Sequence, residues 1–139
     1  VIYNSKKDKL THIKTFWKVL RVAGVTPESL CYEAIMKKFL AGSQGEDNYF
    51  LNYSDGAPWF STNSGVWYAS DRAIDHTRRM VKMMKNNGLK IMSYFISDGY
   101  ISDRDKDTFG KMYGKDASFI DCTNMMNVAK TMNDKFLQK

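Results

Sequence analysis

Cysteine is scarce in this sequence. Cys31 and Cys122 are its only two, and they stand far apart without CxxC spacing. A zinc knuckle is thereby excluded and a disulfide scaffold is not expected. A reducing, cytoplasmic setting follows as the expectation. Long apolar runs are missing as well: no stretch of about 18 apolar residues occurs, and Val1-Ile2-Tyr3-Asn4 does not lead from a basic segment into an apolar one. Neither a membrane span nor a signal peptide is expected in these residues. No GxxxxGK[ST], GxGxxG or GxSxG motif occurs, which removes the common phosphate loop, the dinucleotide fingerprint and the hydrolase elbow. Histidine is limited to His12 and His76. His12 has no recognisable partner, and His76, among Asp75, Arg78 and Arg79, is expected to be solvated rather than a catalytic base.

Clustered charge is also lacking. The net charge is +6, but its cations are spread over Lys6, Lys7 and Lys9, then Lys37 and Lys38, then Arg78, Arg79, Lys82, Lys85 and Lys90. Dispersed lysines solvate helix faces, so nucleic acid is not the expected partner.

What is present is enough for one core. A chain of 139 residues with 43% apolar and 14% aromatic content is one domain or most of one, spanning 1–139. Val1-Ile2-Tyr3 reads as the tail of a strand. Leu10, Ile13, Phe16, Trp17 and Leu20 recur at helical steps. Thr26 can cap the next helix, with Pro27 at its first position, Glu28 favouring the positive end of the dipole, and Leu30, Ala34, Ile35 and Phe39 as inner stripe. Tyr49 to Tyr53 is of strand type and ends at Ser54-Asp55-Gly56-Ala57-Pro58.

Residues 56–69 read as a long loop, unusually aromatic with Trp59, Phe60, Trp67 and Tyr68. Ser70 or Asp71 can cap a helix with Ala73, Ile74, Met80, Val81 and Met84 inside, which stops at Asn86-Asn87-Gly88. Leu89 to Ile96 is a strand, Asp105 to Tyr113 a helix and Ala117 to Ile120 a strand. Thr123 is placed as the cap of a last helix with Met126, Ala129, Met132 and Phe136 inside. Strands alternating with helices predict an α/β fold: a mostly parallel, three-layer, Rossmann-like sheet with helices on both faces. Ligands of such sheets sit beyond the carboxyl ends of the strands. Ser54-Asp55-Gly56 and Ser97-Asp98-Gly99 both fall at such ends.

Gly24-Val25-Thr26 at a helix start, followed by Ser54-Asp55-Gly56 at a strand end, resembles the von Willebrand factor A domain. Thr26-Pro27-Glu28-Ser29-Leu30 and Ser54-Asp55-Gly56-Ala57-Pro58 are most similar to the A domains of cobalt-chelatase accessory subunits. The order of the later segments, to Lys139, follows the same family. The resemblance implies a metal-ion-dependent adhesion site in which Thr26 and Asp55 contribute to holding Mg²⁺. A carboxylate of a protein partner would fill an open coordination position. It also implies a partner of the AAA-type ATPase or chelatase class. The family's Asp-x-Ser-x-Ser motif does not precede Thr26. The expectation is therefore that a first strand and helix belong to a missing N-terminal segment of the same protein, and that these residues alone bind metal weakly or not at all.

Each of these residues has a plainer role open to it. Thr26 serves as a helix cap in any case, and Asp55 and Asp98 form turns before glycine. Cys31 is expected in the core, as are Met80, Met83, Met84, Met125, Met126 and Met132. Trp59, Phe60, Trp67 and Tyr68 fit equally a partner-binding surface or a cover for the sheet edge. The alternative function is a phosphate-handling or hydrolytic α/β enzyme using Asp55 or Asp98.

Overall fold

The computed structural model describes residues 6–19, 25–41, 48–56, 58–123, 126, 129–130 and 133–134. Its elements are α1 (Thr11–Val19), α2 (Glu28–Ala41), β1 (Asn48–Ser54), β2 (Phe60–Ser61), β3 (Trp67–Tyr68), α3 (Ser70–Asn86), β4 (Leu89–Ser97), α4 (Asp103–Tyr113) and β5 (Ala117–Asp121). Strands β1, β4 and β5 form a parallel sheet in that order. Asn48 lies opposite Leu89 and Ser54 opposite Phe95, while Ser93 lies opposite Ala117 and Ser97 opposite Asp121. The protein is thus α/β, with a three-stranded parallel sheet joined by helical crossovers.

Strand alternation divides the sheet into two faces. Phe50, Leu89, Ile91 and Phe95 point to one face, where they pack with Tyr32 of α2, Met80, Val81 and Met84 of α3, and Phe109, Met112 and Tyr113 of α4. Met92, Tyr94 and Ile120 form a separate cluster on the other. The described helices α2, α3 and α4 therefore share one face of the sheet. The strand order explains this: it advances from β1 to β4 to β5 without reversing, so crossovers of one hand keep their helices on the same side. No helix among the described residues is long and apolar enough to cross a membrane.

Local chemistry corrects several other expectations. Helix α2 begins at Glu28, one residue beyond the expected start, with the Cys31 amide donating to the Pro27 carbonyl. Its inward face is carried by Glu28, Ser29 and Tyr32 together with the expected Ile35 and Phe39, which pack on the core, while Ala34 and Cys31 are exposed. Helix α3 is preceded by Ala69, which offers no capping side chain, and Ser70 enters the helix at φ 52° rather than capping it. The expected stripe on α3 is buried at Ala73, Met80, Val81 and Met84, with Thr77 added, and Met83 is exposed. The Thr123 amide and hydroxyl both donate to Asp121, at 2.9 and 2.6 Å, closing a turn behind β5. Those bonds hold the Asp121 carboxyl below its usual range. Leu10 and Met126 are also exposed, at 66% and 82%. The strand expected at Val1-Ile2-Tyr3, the side chains of Phe16, Trp17 and Leu20, and Met125, Met132 and Phe136 lie outside the described residues.

Candidate functional site

Parallel β1 delivers Ser54-Asp55-Gly56 to the carboxyl edge of the sheet. The Ser54 hydroxyl accepts the Gly56 amide at 3.0 Å, bending the chain sharply out of the strand. Gly56 has φ +78° and is packed so closely on the Phe95 ring that a Cβ there would overlap it. Glycine is required twice over, by conformation and by space. Asp55 is exposed at this bend and has interactions of its own.

Beyond the bend, the segment expected to be an irregular loop folds into a small antiparallel hairpin. Phe60 pairs with Tyr68 and Ser61 with Trp67. Thr62 closes the turn by accepting the Val66 amide on its hydroxyl at 3.2 Å and the Gly65 amide on its carbonyl at 3.0 Å. An isolated bridge fastens this hairpin to the start of α2: the Trp59 amide donates to the Thr26 carbonyl at 3.0 Å. Thr26 and the chain leaving Asp55 are therefore brought together, through the Thr26 backbone. Of the four loop aromatics, Trp67 is 64% and Trp59 39% exposed, Phe60 is half-buried and Tyr68 is buried. The two indole rings lie 6.3 Å apart. A cleft of about 480 Å³ opens beside them, with Gly56, Pro58, Trp59, Asp71, Arg104 and Lys111 among its walls.

Two buried polar groupings hold the first turn of α2 in place. Glu28 is only 6% exposed, and its Oε1 accepts from the Tyr32 hydroxyl at 2.9 Å, the Tyr113 hydroxyl at 2.7 Å and the Asn52 amide at 2.7 Å. Its Oε2 is buried with no hydrogen-bond partner among the described residues. Burial, with the Glu28 charge beside them, pushes both the Tyr32 and Tyr113 phenols far up. Next to it, the Ser29 hydroxyl bonds the Tyr68 hydroxyl, which bonds His76 Nδ1 at 2.7 Å; His76 Nε2 lies 3.8 Å from a Glu33 oxygen. Burial holds the Tyr68 phenol above its usual range.

His76 is thus half-buried and engaged, not solvated as expected, because Tyr68 brings it a hydroxyl from the hairpin. Ser29 is fully buried, so a hydroxyl and an imidazole in one chain here fasten β3 to α2 and α3. Sequence reasoning missed Tyr32, Asn52 and Tyr113 altogether. The Glu28–Tyr32 spacing of one helical turn was the one signal available; Asn52 and Tyr113 come from distant segments.

Magnesium requires near-octahedral oxygen ligation. Thr26 and Asp55 bring one hydroxyl and one carboxylate, and no group of three or more His, Cys, Asp and Glu side chains suited to an ion occurs among the described residues. These two residues do not by themselves make a metal site. Asp98 lies in an exposed bend after β4, where the Gly99 amide donates to the Ser97 hydroxyl at 3.2 Å. No nucleophile or base accompanies it in the described contacts, so nothing there favours the enzyme alternative.

The sequence matches no protein-family model and no characterised protein. The geometry of the site therefore carries the functional argument.

Proposed function

We propose that this chain is a protein-binding module of the von Willebrand factor A type, with a Rossmann-like arrangement, that meets its partner across the carboxyl edge of the parallel sheet. One observation carries the reading: the backbone bond from Trp59 to Thr26 sets an exposed tryptophan pair beside the Ser54-Asp55-Gly56 strand end. Large aromatic side chains held on a rigid base are typical anchors of protein interfaces, because they bury much area at little entropic cost. Within the surface, Trp59 and Trp67 are the contacts, and the inward Tyr68 and half-buried Phe60 hold the hairpin in place.

The partner fits the AAA-type ATPase or chelatase class implied by the resemblance to cobalt-chelatase A domains, in a cytoplasmic setting. Magnesium belongs to the same reading only as a partial site, with Thr26 and Asp55 as two ligands of a set that other residues must complete. Photo-crosslinking in cells that make the full-length protein tests the proposal. A photoreactive residue at Trp67 is expected to capture a defined partner that the same residue at exposed Lys38 does not. Identical products from both positions, or none from Trp67, would contradict it. Calorimetric titration with Mg²⁺ tests the metal part: equal heats for the wild type and Asp55→Ala would remove it.

A further inference from the structure

The second halves of α3 and α4 enclose a second groove, which shares Lys111 with the cleft beside Trp59. Arg78, Lys82 and Lys85 occupy steps of four and three residues on α3, and so form one stripe. Lys111 joins them from α4, and the groove they line holds about 290 Å³. Its floor is apolar, made by the buried residues Val81, Met112 and Tyr113, and no acidic side chain is among its walls. The fold has thus gathered cations that look dispersed along the sequence.

Helix-end electrostatics accounts for part of this. Lys85 and Lys111 lie in the last turns of their helices, where a cation complements the dipole. Arg78 and Lys82 lie further back and have no such reason. Lys85 pairs with the half-buried Asp116 at 2.5 Å, while Arg78 pairs with Asp75 at 2.9 Å and Lys111 with Asp107 at 2.6 Å, the last two between exposed groups. Pairs of that kind are weak and readily exchanged for a partner's carboxylate. Lys82 makes no ion pair with any described residue among the recorded contacts.

We infer that this groove docks an acidic, amphipathic peptide segment of a protein partner, its carboxylates on the α3 stripe and its apolar side chains on the floor. The stripe spans about 10 Å at the helical rise, which matches two or three acidic side chains. A nucleic acid fits less well. Single strands are gripped by stacking on exposed aromatics, and the one aromatic here, Tyr113, is buried with its hydroxyl turned inward to Glu28 and Tyr32.

The test is fluorescence anisotropy on the full-length protein, with two labelled probes. One is a 15-residue helix-forming peptide carrying glutamate on one face and leucine on the other; the second is a 15-nucleotide single-stranded RNA. The peptide is expected to bind, with affinity that falls as salt rises. Arg78→Glu/Lys82→Glu is expected to weaken it at least tenfold. Lys37→Glu/Lys38→Glu, an equal change of charge on exposed positions of α2, is expected to change it less than twofold. Three results would each overturn the inference: no peptide binding, equal losses in the two double variants, or tighter binding of the RNA.

Discussion

At the scale of single residues, the site is shaped by close fits that composition does not display. Gly56 is the sharpest. Its positive φ costs any other residue about 1–2 kcal/mol, and a methyl group would also press on Phe95. Gly56→Ala is expected to lose about 2–4 kcal/mol of stability in urea denaturation; a loss below about 0.5 kcal/mol would contradict the packing described. Glu28 offers a different test. Glu28→Ala leaves the Tyr32, Tyr113 and Asn52 donors without their shared acceptor and is expected to cost about 3 kcal/mol. Glu28→Gln keeps an acceptor oxygen and is expected to cost clearly less, by the same measurement. The two tyrosines add a pH dependence. Folding raises their pKa, so the native state keeps protons that the unfolded chain releases above about pH 10. Stability is whole below that pH and falls as the pH rises through it, by up to about 1.4 kcal/mol per pH unit for each phenol. Urea melts between pH 8 and 11 should show that slope, reduced in Tyr113→Phe; an unchanged slope would be evidence against the coupling.

At the scale of elements, legibility followed the source of the stabilising energy. Helix α3 and strand β4 are readable because apolar burial drives them, and apolar spacing is what a sequence displays. The face of α2 is readable only in part: Ile35 and Phe39 pack on the core as their spacing predicts, but Ala34 is exposed, and Glu28, Ser29 and Tyr32 turn inward because they reach polar partners on β1, β3 and α4. The hairpin Phe60–Ser61 and Trp67–Tyr68 was hidden for another reason. Two-residue strands carry no alternation to detect, and the bonds that fasten the hairpin to α2 run to Thr26 and Ser29, outside it. The capping box of α4 was present in the letters Ser102 and Asp105 but went unread. Ser102 accepts the Asp105 amide at 3.1 Å and Asp105 accepts the Ser102 amide at 3.2 Å. Ser102→Ala is expected to cost about 1 kcal/mol, read as a lower midpoint in thermal melts, and no shift at all would show the cap to be ornamental.

At the scale of the whole molecule, one chain of attachments organises the carboxyl edge of the sheet. The buried seam holds the first turn of α2, that turn holds Thr26, and Thr26 holds the hairpin beside Asp55. The Ser29–Tyr68–His76 bonds fasten the hairpin from below and leave Trp59 and Trp67 exposed, as the proposed anchor requires. An anchor of this kind separates binding from stability. The most direct measurement is the affinity of Trp67→Ala for the partner captured at that position, taken together with its thermal melt. The account predicts a loss of about 2 kcal/mol or more, roughly 30-fold in affinity, with the melting temperature nearly unchanged. Unchanged affinity in the folded variant, or a stability loss of about 3 kcal/mol or more as a core tryptophan would give, would contradict it.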